Sequence, residues 1–100
     1  MGWASRHIEL LKLGKVVKFR PKGNSMLPLI KSGALCTVEP IGDSIINKND
    51  IVLCTVRGNQ YLHLVSALNK DRFQISNNSG HVNGWISRNS IYGRCIKIED

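Results

Sequence analysis

The chain has 100 residues, 42% of them hydrophobic, and carries 14 basic against 7 acidic side chains for a net charge of +7. That is enough apolar content for one small domain with one modest core, and it excludes a disordered chain. No run approaches the roughly 18 apolar residues a membrane span needs, and residues 1–22, with six basic groups against Glu9 alone, read as neither signal peptide nor anchor, so a soluble, cytoplasmic protein is expected.

In chain order, Ser5 is placed to cap a short helix that carries Trp3, Ile8 and Leu11 on one face and stops at Gly14. Residues 1–14 are therefore expected to pack as a helix on a domain spanning residues 15–100. Lys15 to Arg20 alternates as a strand, with Val17 and Phe19 on one face, and Pro21-Lys22-Gly23 breaks it. Leu35 to Glu39 is a second alternating strand, followed by a polar loop over residues 41–49. Ile51 to Val56 turns through Arg57-Gly58-Asn59 into Gln60 to Leu68, and Asn69-Lys70-Asp71 turns again into Arg72 to Ser76. Val82 to Ile86 is a strand interrupted by Gly84, and Ile91 to Ile98 is the last strand. Many short strands joined by Gly and Asn turns, with one N-terminal helix, predict a mostly β fold, a coiled antiparallel β-domain.

Cys36, Cys54 and Cys95 cannot all pair within one chain and form no C-x-x-C motif. Each sits in an apolar run, which suits buried free thiols in a reducing compartment. Their spacing to His63 or His81 does not support a zinc site, so no metal and no cofactor is expected.

Two segments carry candidate chemistry. Gly23-Asn24-Ser25-Met26-Leu27-Pro28 sets a serine in a loop after a basic strand, and Gln60-Tyr61-Leu62-His63-Leu64-Val65 sets a histidine among apolar strand residues. A serine hydroxyl is a weak nucleophile until a nearby base takes its proton. Taken alone, the pair reads as a turn serine and a half-buried strand histidine. The ordered set changes that reading. Gly23-Asn24-Ser25-Met26 with Pro28, Lys31 to Leu35, Asn49-Asp50-Ile51-Val52-Leu53, Tyr61 to Val65, Asn77-Asn78-Ser79 and Ile91-Tyr92-Gly93-Arg94 together resemble the LexA-like and signal-peptidase superfamily of serine peptidases, from about Lys15 to Ile98.

The resemblance implies a catalytic-domain fold of that type, with Ser25 as nucleophile and His63 as general base. It also implies a helical turn over Met26 to Ile30 whose free N–H groups point toward the serine. Most of the superfamily uses lysine as the base. The endoplasmic-reticulum and archaeal signal peptidases use histidine, which starts near pKa 6.5 and needs little tuning. In that branch an aspartate orients the imidazole. Ser76 of Ile75-Ser76-Asn77-Asn78 stands at its place here, with Asp43 and Asp50 as the other carboxylates on offer. The oxyanion hole is expected from the Ser25 N–H with support from Gly23, Asn24 and Met26. Gly23 stands where many signal peptidases carry a serine hydroxyl donor. No helix-turn-helix segment precedes residue 15, so a LexA-type repressor is not expected, and no Ala-Gly or Cys-Gly dipeptide precedes Ser25, so LexA-style self-cleavage is not expected.

These readings converge on a stand-alone serine peptidase-like protein that takes a protein or peptide substrate as an extended strand. The alternative is a catalytically weak or inactive peptide- or protein-binding module on the same fold, such as a phage or mobile-element accessory protein. Nucleic-acid binding through the basic N-terminal face ranks last, because no aromatic residues interleave with the charges.

Overall fold

Helix α1 (Ser5–Lys12) stops where the sequence predicts. Gly14 takes φ 84°, a left-handed conformation that costs glycine nothing. The Lys15 N–H bonds the Leu10 carbonyl at 3.0 Å and the Gly14 N–H bonds that of Leu11 at 2.9 Å, the Schellman arrangement. The start differs from expectation. Ala4, not Ser5, is the N-cap residue, and it makes no side-chain cap. Gln60 fills that role from the sheet: its Oε1 accepts the Ala4 N–H at 2.7 Å, while Ser5 Oγ accepts from the Gly2 N–H and from Gln60 Nε2. The helix is therefore capped by tertiary structure.

The computed structural model describes residues 2–100. After α1 come β1 (Val17–Phe19), β2 (Leu35–Pro40), β3 (Ile51–Val56), β4 (Asn59–Asn69), β5 (Arg72–Ser76), β6 (Val82–Ser87), a 3-10 turn at Arg88–Ser90, and β7 (Ile91–Glu99). They form one sheet in the order β1-β2-β7-β3-β4-β5-β6, and every neighbouring pair is antiparallel. The mostly β fold with a short N-terminal helix is thus as expected. The β3–β4 turn is one residue shorter than predicted. Arg57 and Gly58 have φ 50° and 83°, and Asn59 already faces Val56, as in a two-residue type I′ hairpin.

Alternation along β3 supplies both faces of the sheet. Leu53 joins Ala4, Ile8, Leu11, Met26 and Val38 beneath the helix and serine loop. Val52, Cys54 and Val56 join Val65, Phe73, Ile75 and Ile86 on the other face. The radius of gyration is 12.2 Å, against about 13 Å for a compact single domain of this length. Among the described residues no helix is long and apolar enough to cross a membrane.

Candidate active site

The serine loop is clamped from several directions. The Gly23 N–H donates to Ser32 Oγ at 3.0 Å. Asn78 donates its backbone N–H to the Ser25 carbonyl at 3.0 Å and its Nδ2 to the Leu27 carbonyl at 2.7 Å. Met26 is buried in the core beneath α1, and the Ile30 N–H closes one turn onto the Met26 carbonyl at 3.0 Å. Gly23 has φ +113°, and a Cβ there would meet nothing within 4 Å. Its glycine answers a backbone requirement, not a close approach.

On β4, His63 faces Val52 of β3 and is only 7% exposed. Its Nε2 lies 3.2 Å from Ser25 Oγ. Its Nδ1 lies 2.7 Å from Asn83 Oδ1, and Tyr61, two residues back on the same face, stacks on the ring with centroids 4.7 Å apart. An amide oxygen accepts, so Nδ1 carries the proton and donates to Asn83. Nε2 then presents its lone pair to the Ser25 hydroxyl. Burial pushes the His63 pKa below its ordinary value; the Asn83 bond pulls it up and His81 adds a smaller downward push. The net direction is downward, which favours the neutral ring.

Ser76 does not orient the imidazole; Asn83 stands in that place. Ser76 faces Leu64 across the β4–β5 ladder, so it shares Leu64's face, and His63, one residue earlier, points to the other. Asn83 reaches His63 from β6, across β5. Gly84 faces Ile75 and Val82 faces Ser76, which leaves Asn83 as the extra residue of a β-bulge. Bulges re-aim side chains in this way. The signal was present in the sequence as a glycine inside a strand pattern, which marks a bulge. Of the other carboxylates considered, Asp50 is committed elsewhere: its Oδ2 accepts from Arg94 Nη1 at 3.0 Å and from the Asn47 N–H at 2.8 Å.

Among the described residues the Ser25 N–H has no protein acceptor, so it is available to an oxyanion. Asn24 is exposed, and the Gly23 N–H is spent on Ser32.

The dyad opens into a cleft of about 490 Å³ lined by residues that include Trp3, Arg20, Lys22, Met26, Ile30 and Leu62. One wall is a strand edge. β4 pairs with β5 only from Leu64 onward, so residues 59–63 lack a neighbour on that side among the described residues. In a two-residue hairpin the ladder bonds of β4 fall at Asn59, Tyr61 and His63, turning the backbone of Gln60 and Leu62 outward. Trp3 Nε1 takes the Gln60 carbonyl at 3.1 Å. Leu62 keeps its outward groups.

Comparison with models of known protein families gave no match, and comparison with curated proteins gave none.

Proposed function

We propose that this chain is a serine peptidase-like protein of the LexA-like and signal-peptidase type, acting on an extended peptide. The observation that carries the reading is the relay Ser25 Oγ–His63 Nε2 at 3.2 Å and His63 Nδ1–Asn83 Oδ1 at 2.7 Å, within hydrogen-bond reach at the serine without any ligand. The peptide pairs with the outward backbone of Leu62 and lays its scissile carbonyl against Ser25. His63 takes the Ser25 proton as Oγ attacks. The Ser25 N–H holds the oxyanion, and the imidazolium returns its proton to the leaving amine. Asn83 keeps the tautomer. Three free thiols, two of them buried, suit a reducing compartment and support a cytoplasmic setting.

A fluorophosphonate probe tests the dyad directly. It should phosphonylate Ser25, with Oγ displacing fluoride from phosphorus, and His63→Ala should remove the labelling. Equal labelling of both proteins would sink the assignment of His63 as base.

The second reading is a binding module with little or no turnover. Two features favour it: Asn83 is neutral, so no carboxylate stabilises the imidazolium, and Gly23 contributes no side-chain donor to the oxyanion. Under it, a folded Ser25→Ala protein keeps its cellular effect; under the peptidase reading the effect is lost.

A further inference from the structure

The cleft is electrostatically one-sided. Arg20 and Lys22 line it and no carboxylate does. Neither cation belongs to an ion pair among the described residues, whereas Lys31, Arg94 and Lys97 do. Arg20 donates through Nη1 to the Gly33 carbonyl at 2.9 Å, which fixes the guanidinium and leaves its other donors free. Lys22 lies three residues before Ser25, so its Cα is at most about 10 Å from the nucleophile's. Trp3, Met26, Ile30 and Leu62 give the same cleft apolar surface. Trp3 is 52% exposed yet held in place, with its ring in a T-shaped contact with Phe19 and its Nε1 donating to the Gln60 carbonyl.

We infer that the segment this cleft takes is an acidic peptide. It carries an Asp or Glu within about three residues of the bond held at Ser25, facing Arg20 and Lys22, and an apolar side chain against Trp3 and Met26. The inference rests on the peptide-cleft reading of the same site and names its substrate class. Two unpaired cations beside an apolar wall favour a carboxylate over a neutral side chain, and they repel a basic one. A phosphate backbone is the weaker fit. It needs several cations along one track, and the remaining N-terminal charges do not supply it: Arg6, Lys12, Lys15 and Lys18 lie outside the cleft lining, and Lys12 Nζ sits over the Tyr92 ring.

The test uses the Ser25→Ala protein, so that binding is read without turnover, against a positional-scanning library of synthetic decapeptides. Glu-to-Gln twins of the best binders and a single-stranded DNA decamer are measured alongside. The expected result is that acidic peptides bind roughly three- to tenfold tighter than their amide twins at low salt. The margin should shrink as salt is raised, and Lys22→Glu should abolish or reverse it with an unchanged melting curve. Three results overturn the inference: equal binding of the twins, binding of no peptide, or the DNA decamer outcompeting every peptide. Incubating the same peptides with wild-type protein separates the two readings. Acid preference without cleavage leaves acidic recognition standing and removes the peptidase. Cleavage indifferent to the acidic side chain does the reverse.

Discussion

In the proposed mechanism His63 acts in its neutral form, and its burial gives that role a pH signature. With the pKa below the ordinary imidazole value, the base is already deprotonated at neutral pH. Probe labelling of Ser25 should therefore be flat from pH 7 upward and fall as acid protonates the ring, with a midpoint below about 6.5. The same shift bears on stability. The unfolded chain binds the proton more readily than the folded one, so the contribution of His63 is present above about pH 6.5 and is lost as pH falls through the lower folded pKa. Asn83 sets the second residue-scale expectation. Asn83→Asp keeps the acceptor and adds a charge that stabilises the imidazolium, so it should speed labelling by about tenfold or more and move the pH midpoint upward. Asn83→Ala frees the tautomer and should slow it. Probe labelling against pH reads both variants. An Asn83→Asp protein with unchanged rate and midpoint would show that the amide does not serve the ring.

Among the elements, β6 carries the ring's partner, because its bulge brings Asn83 to His63 across β5. Gly84 anchors that bulge at φ +152°, and a Cβ there would crowd Val56 Cγ1 at 3.1 Å. Gly84→Ala should cost about 1–3 kcal/mol and lower probe labelling by more than the unfolded fraction explains, since relaxing the bulge withdraws Asn83. Gly93 on β7 is the control. Its added Cβ would meet the Glu39 carbonyl at 2.7 Å and Leu11 Cδ1 at 3.0 Å, so Gly93→Ala should destabilise the helix–sheet seam yet leave labelling per folded molecule unchanged. Melting curves with labelling at matched folded fraction separate the two. Equal loss per folded molecule in both variants would remove the special role of the bulge.

At the scale of the whole molecule, the two core layers decide what solvent reaches. Cys36 and Cys54 are both fully buried. Burial pushes each thiol up to about 12, with the Cys95 thiol a further cause at Cys36, and burial raises the half-buried Cys95 as well. Thiolate is the reactive form. Native protein at pH 7 to 8 should therefore react slowly with a disulfide reagent at all three positions and rapidly once denatured. Fast native reaction of two or more thiols would mean that the layers open readily.

Local pattern determined a large part of this protein. Val17 and Phe19 alternate with exposed Lys18 as read. Gly14 stops the helix, and β3 and β5 begin and end at the residues predicted, because hydrophobic period and turn chemistry act over a few neighbouring residues. Ser25 and His63, 38 residues apart in sequence and 3.2 Å apart in space, were paired only through the resemblance that the ordered segments around them carry; local pattern alone left a turn serine and a strand histidine. What only the tertiary structure decided is how strands distant in sequence meet. β7 slots between β2 and β3, Gln60 rather than Ser5 serves the helix start, and Asn83 rather than Ser76 holds the imidazole. Each depends on register. A shift of one residue turns a side chain to the opposite face of a sheet, and a single bulge on a strand two places away overrides any assignment made by position along the chain.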